Sequence, residues 1–251
     1  MTIFRNAVFV AAIAGLLAGL AMAAMQSFAT VPLILQAETF ENAAPAEPAA
    51  GAGHDHAQEA PAADDAAAAA GHEHDEEAWA PADGFERNAY TIGANIVTGI
   101  GFALLLVVAS ELAGGISGWR QGVLWGLAGF AVFTLAPGLG LPPELPAMPA
   151  AELGVRQVWW WSTVIATAAG LALIAFRGTA LWSLVGLVLI VAPHLVGAPQ
   201  PVSHETAVPD SLHHDFVVMV TVTNLVFWVL LGGLAGLFRD RFVEGLEGKF
   251  A

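Results

Sequence analysis

VWWWSTVIATAAGLALIAF, Val158–Phe176, is followed after only Arg177 and Gly178 by TALWSLVGLVLIVAPHLVG, Thr179–Gly197. Neither run contains Asp, Glu, Lys or Arg. The hydrocarbon core of a bilayer is crossed by roughly 20 mostly apolar helical residues, so each run is long enough for one crossing. A two-residue joint leaves no option but a tight antiparallel hairpin. Four further runs of the same kind surround it: Ala7–Ala29, Ala89–Ala113, Trp119–Leu139 and Phe216–Phe238. Backbone N–H and C=O groups find no partner in lipid, which restricts spanning segments to helices and closed barrels. Runs this long and this continuously apolar are helices. The sequence therefore predicts an all-α, polytopic integral membrane helical bundle with six transmembrane helices.

Composition agrees. The chain has 251 residues, 57% hydrophobic and only 12% charged, against about 25% charged in an average soluble domain. The net charge of -14 is concentrated in one place. Between Ala37 and Asn88 stand thirteen acids and a single base, Arg87, which together account for twelve of the fourteen negative charges. Phosphate binding needs clustered Lys and Arg, so nucleic acid is excluded as a partner. The chain has no cysteine, which excludes disulfides, thiolate metal sites and cysteine nucleophiles. It also lacks the glycine-lysine pattern of a phosphate-binding loop, so it does not hydrolyse nucleotide by that route.

The eight basic residues set the orientation, because cytoplasmic loops are enriched in Lys and Arg. With Arg5 inside and strict alternation over six spans, Arg120, Arg177, Arg239, Arg241 and Lys249 also fall inside, and only Arg87 and Arg156 fall outside. Both termini are then cytoplasmic. Three regions follow: residues 1–36 carry the first transmembrane helix, 37–88 a disordered acidic, histidine-rich extracytoplasmic loop, and 89–251 a five-helix bundle with a short cytoplasmic tail. Met1–Ala29 also has the outline of a signal peptide; cleavage would leave five spans in the same orientation. Gly15/Gly19, Gly118/Gly122/Gly126 and Gly232/Gly236 are spaced four apart, the spacing that lets helix backbones approach closely in lipid. Trp159, Trp160 and Trp161 at one face, and Trp119 and Trp182 at the other, fit an interfacial belt.

Three groups of residues carry chemistry. The acidic loop repeats Ala52-Gly53-His54-Asp55-His56 as Ala70-Gly71-His72-Glu73-His74. Imidazole and carboxylate together are ligands for Co, Ni, Zn and Cu(II). A flexible segment raises the local cation concentration without fixing a geometry, so His54, His56, His72 and His74 are expected to capture metal without selecting it. The second group is His204, Glu205, Asp210, His213, His214 and Asp215, with His194 just after Pro193. By the alternation above, all eight histidines lie on one side of the membrane or at its rim. The third is Pro137–Pro149, whose prolines are incompatible with a regular helix; it is a rigid outer loop or a re-entrant one, and Glu144, Met148 and nearby Glu152 are possible ligands. Because a selective entry site needs rigid support, His194, His213, His214 and Glu144 are expected to converge at the outer mouth. Few polar residues sit within the spans: Gln26, Asn95, Glu111 and Asn224.

Gly138-Leu139-Gly140-Leu141-Pro142-Pro143-Glu144-Leu145-Pro146, followed by Arg156-Gln157-Val158-Trp159-Trp160, resembles the signature region of the CbtA family. The first span, the histidine-rich loop and Gly118-Trp119-Arg120-Gln121-Gly122 are similar as well. The resemblance implies a subunit of a prokaryotic cobalt uptake system in the cytoplasmic membrane, serving corrinoid synthesis, with a small single-span partner, CbtB. It implies no enzyme and no permanently bound cofactor; the cation is cargo, Co²⁺ favoured over Ni²⁺ or Zn²⁺. Glu144, Arg156, Gln157 and Trp160 match the family pattern by position. Beside this reading stands another class, a membrane metal-binding or sensory accessory protein that transports nothing, which the scarcity of polar residues in the spans favours. A histidine-ligated haem protein is a third, and needs paired intramembrane histidines that the chain does not supply.

Overall fold

A computed structural model describes residues 2–43, 81–82 and 84–247. The described residues form helices and connecting turns, with no strand among them. In chain order these are α1 (Thr2–Ala29), α2 (Val31–Ala43), α3 (Phe85–Leu112), α4 (Trp119–Phe130), a π-helical turn (Ala131–Leu135), α5 (Ala136–Gly140), α6 (Leu153–Arg177), α7 (Ala180–Val196) and α8 (Asp210–Glu247). Five stretches are long and apolar enough to cross a membrane: Arg5–Ala29, Phe85–Leu112, Trp119–Gly140, Leu153–Arg177 and Asp210–Arg241. The sixth expected span, α7, is an apolar helix of 17 residues. At 1.5 Å per residue that is about 25 Å, the lower limit for a crossing.

Glycine sets how the helices meet. Gly15 and Gly19 of α1 lie against the backbone of α3 at Gly99, Ile100 and Asn95. Gly122 and Gly126 of α4 face Gly232, Gly236 and the Trp228 carbonyl of α8. Gly170 of α6 faces Gly186 of α7. Each pair is antiparallel. At every one of these positions a Cβ would overlap the opposite backbone. In lipid, where apolar surface gives no drive to associate, such close approach supplies the van der Waals contact that holds helices together. The spacings at Gly15/Gly19, Gly118/Gly122/Gly126 and Gly232/Gly236 are thus packing seams. Around them the core is Val10, Ala11, Ala14, Ala18, Ala103, Leu106, Val107, Phe130, Phe227, Trp228, Leu231 and Ala235, drawn from α1, α3, α4 and α8. Two tight turns close one end. Gly114 and Gly115 at φ +98° and +83° reverse the chain between α3 and α4, and Gly178 at φ +60° ends α6.

The π-helical turn has a local cause. Pro137 has no N–H, so the α-helical ladder cannot continue through it. One residue earlier Ala136 N–H bonds instead to Ala131 C=O, five residues back. The wider turn aims Phe133 at Trp228, stacked at 5.7 Å, and at Trp160 of α6, 6.3 Å away. It also places the Thr134 hydroxyl where it accepts from Trp228 Nε1 at 3.3 Å.

The ends of the 37–88 region differ from expectation. Helix continues past residue 36 to Ala43, and α3 begins at Phe85. The cause is an apolar stripe, Leu33, Ala37 and Phe40, which packs with Ile34 against Leu145, Val208, Leu212 and Phe216. An ion pair between Glu38 and Arg87 ties α2 to the start of α3. Residues 44–80, with His54, His56, His72 and His74, lie outside the described residues.

Candidate functional site

The end of the bundle formed by α2, the 141–152 segment, the 197–209 segment and the start of α8 carries His194, His204, His213 and His214. The opposite end carries Arg120, Arg177, Arg239 and Arg241. These are called the histidine end and the arginine end.

At the histidine end the proline segment does not run free. Leu145 is buried with Ala37, Val208, Leu212 and Phe216, Ala147 C=O accepts from the Thr206 hydroxyl at 3.0 Å, and Glu144 pairs with Arg156 at 2.9 Å. His213, in the first turn of α8, completes the clamp: its Nε2 lies 3.1 Å from Pro143 C=O. A carbonyl only accepts, so in the neutral ring Nε2 carries the proton and Nδ1 keeps the lone pair. That matters for metal chemistry. A metal-ligating imidazole characteristically donates its other N–H to a carbonyl or carboxylate, which fixes its tautomer and orientation. The fold therefore brings His213 beside Pro143, the neighbour of Glu144.

His194 sits elsewhere at this end. Its ring meets Trp159 edge-on at 5.9 Å, and Trp159 Nε1 donates to Pro193 C=O at 3.3 Å. Trp159 is buried; it is an interhelical hydrogen-bond donor, not a member of the interfacial belt. The cause is Pro193, which places a carbonyl beside the indole N–H, and a buried indole takes such a partner. Trp119 and Trp182 do fit the belt: both are exposed, under the guanidinium groups of Arg120 and Arg177. His214, the next residue, is exposed. Glu152 is occupied in another way. It caps α6, accepting from Gly154 N–H at 2.8 Å and Val155 N–H at 3.0 Å. Three or more His, Cys, Asp or Glu side chains grouped to hold a metal do not occur among the described residues.

The polar residues noted within the spans, Gln26, Asn95, Glu111 and Asn224, all have partners. Asn95 Nδ2 donates to Gln26 Oε1 at 2.7 Å, joining α3 to α1. Arg239 Nε donates to Glu111 at 2.7 Å, and a second guanidinium nitrogen bonds to Ile116 C=O. Gly115 leaves the space this guanidinium occupies. Asn224 bonds back to Val220 C=O at 2.8 Å. All four act between or along helices as structural ties.

A family model described as "Probable cobalt transporter subunit (CbtA)" matches residues 4–240. The chain belongs to the CbtA family. The match begins inside α1 and ends within α8, so it covers every helix packed in the bundle. No curated relative and no solved structure matches the chain. The family description names a cobalt transporter subunit, which is a transport role and not an enzymatic one.

Sequence reasoning missed two features. The Pro143 carbonyl that orients His213 is backbone and leaves no mark in the sequence. Thr163 and Thr167 on the buried face of α6 were legible in principle: Trp159, Thr163, Thr167 and Gly170 recur at spacings of four, four and three, one stripe of a helix.

Proposed function

We propose that this chain is the membrane subunit of a divalent transition-metal uptake system, with Co²⁺ as its cation, and that the cation is captured at the histidine end. The observation that carries this reading is the His213–Pro143 bond. It holds an imidazole at a fixed angle with Nδ1 available as a ligand, on a loop braced by Leu145 and by the Glu144–Arg156 pair. Neutral imidazole suits a borderline cation such as Co²⁺ or Ni²⁺. Glu144 is held by Arg156 and joins the ligands by exchanging that pair for the cation, and His194 and His214 offer further nitrogens at the same end. A transit site must release what it binds, so a loose set of ligands is the appropriate chemistry. The repeated His54/His56 and His72/His74 pairs supply the first, unselective capture.

In this reading the histidine end faces out of the cytoplasm, both termini face in, and α7 is the sixth span of a protein in a prokaryotic cytoplasmic membrane. The first helix is retained: Val10, Ala11, Ala14 and Ala18 are core residues, which suits a structural helix better than a cleaved leader. A small single-span CbtB-like subunit completes the transporter. The accessory or sensory reading is supported by the lack of a three-ligand group among the described residues. Radiolabelled cobalt uptake by cells expressing the full chain, with and without its genomic neighbour, separates the two: accumulation supports transport, and binding without accumulation supports the accessory role.

A further inference from the structure

Buried hydroxyls in apolar helices usually bond to a carbonyl one turn back. Ser110 does so to Val107 C=O, Thr163 to Trp159 C=O and Thr223 to Met219 C=O. Thr167 does not. It is 2% exposed, and its Oγ1 is the buried side-chain polar atom without a partner among the described residues. A hydroxyl left unpaired away from water is destabilising, so its retention in the seam between two apolar helices asks for a ligand.

The facing helix offers a carbonyl. Gly170 stands on Gly186, and Trp159 reaches Pro193 C=O. This antiparallel register puts Thr167 level with Leu187–Leu189 of α7. Leu189 is four residues before Pro193, which has no N–H to give it. An unpaired hydroxyl thus shares one level of the hairpin with a carbonyl that lacks its usual helical donor. Above them run the Thr163 hydroxyl, the Trp159–Pro193 bond and His194 at the histidine end. It is a polar thread inside an interface whose outer surface is apolar.

We propose that the α6–α7 seam between the histidine end and the Gly170–Gly186 contact is where the divalent cation enters the helices, and that Thr167 Oγ1 and Leu189 C=O are an oxygen coordination point on it. This rests on the uptake reading above. Neutral oxygens fit the task. They replace waters that a partly dehydrated cation gives up, as pore carbonyls do, and they bind weakly enough to let it leave. A carboxylate or imidazole at this depth would hold the ion instead.

The chain has no cysteine, so Thr167→Cys introduces a single thiol. The probe is a small, permanently charged, water-soluble thiol reagent applied from the histidine side. Ile165→Cys, two residues away and 64% exposed on the apolar face, is the lipid-facing control. Thr167→Cys is expected to react, Co²⁺ is expected to slow that reaction, and Ile165→Cys is expected to stay unmodified. Reaction of Thr167→Cys no faster than the control overturns the proposal. In parallel, Thr167→Val keeps the shape and removes the oxygen, while Thr167→Ser keeps the oxygen. Cobalt uptake should fall roughly tenfold in the first and hold in the second; equal uptake in both overturns the oxygen site. Protected labelling of Thr167→Cys in a chain that accumulates no cobalt removes the uptake reading and with it the route, whereas uptake through an unlabelled seam removes the route alone.

Discussion

The bundle of α1, α3, α4 and α8 and the hairpin of α6 and α7 are both antiparallel, and both are closed by glycine, yet they bury different chemistry. Among the described residues of the bundle every buried side-chain polar atom has a partner, and the larger polar groups pair across helices: Asn95 with Gln26, Glu111 with Arg239, Trp228 Nε1 with Thr134. Two glycine seams fix its backbones, and aromatic rings of Phe102, Phe133, Phe227 and Trp228 fill the remainder. The hairpin has one seam, Gly170 on Gly186, and keeps Thr167 unanswered. Most of α7 is exposed, with Gly186 its buried residue. The hairpin meets the bundle largely through the π-helical turn and α5, where Phe133 touches Trp160 and Gly140 lies under Trp159. A satisfied interior makes a rigid frame, and unanswered polar groups mark where a ligand or a motion belongs. The bundle is the frame and the hairpin is the working part.

The largest break is on the frame. Gly122→Leu puts a side chain into the Gly232 carbonyl and the Gly236 backbone, which cannot move without separating α4 from α8. Overpacking a core costs about 1–3 kcal/mol when side chains can adjust, and here they cannot. Loss of monodisperse protein on size exclusion in detergent is the expected result. Gly101→Leu, where a Cβ meets nothing within 4 Å, should leave the elution profile and the melting temperature unchanged.

The next effect is on capture. His213→Ala removes the oriented imidazole and should lower cobalt uptake at limiting metal on the order of tenfold or more, as losses around a metal ligand do, without altering the melt by more than a few degrees. Deleting residues 51–77 should be milder. Uptake weakens at limiting cobalt and recovers when cobalt is in excess, because local concentration is lost and the oriented imidazole is not.

How much of this was legible in the sequence follows from where the information lies. Spans and hairpin are written in apolar runs, and glycine seams in four-residue spacing, so the architecture could be read directly. Residues 37–43 could not, because an acidic, alanine-rich context hides the short Leu33–Ala37–Phe40 stripe whose partners, Leu145, Val208, Leu212 and Phe216, are more than 100 residues away. Glu152 reads as a ligand by composition and proves to be a helix cap, a role set by the two N–H groups after it. His213 was legible as a candidate. Its orientation was not, since a backbone carbonyl provides it.

A moderate effect on the frame comes from the arginine end. Arg239 and Glu111 have side chains about a quarter to a third exposed, so solvent screens the pair and its coupling should be about 1 kcal/mol or less. Arg239→Gln also gives up the bond to Ile116 C=O, so it should lower the melting temperature more than Glu111→Gln does.

The smallest expected effect sharpens the comparison most. Asn95 and Gln26 form the one side-chain hydrogen bond described between α1 and α3, at the level where Gly19 already holds the two backbones together. Interhelical hydrogen bonds in membrane proteins average about 0.6 kcal/mol, because the unfolded chain finds other partners. A double-mutant cycle of Gln26→Leu and Asn95→Leu should therefore return a coupling of about that size in thermal or denaturant melts. Cobalt uptake should be unchanged in all three variants, because the pair is a tie within the frame. Thr167→Val provides the mirror image, with a melt at or above that of the unmodified chain, because an unpaired buried hydroxyl is removed, and uptake reduced. If Asn95→Leu lowered uptake while leaving the melt intact, the polar pair in the bundle would be part of the route, and the division between frame and working part would fail.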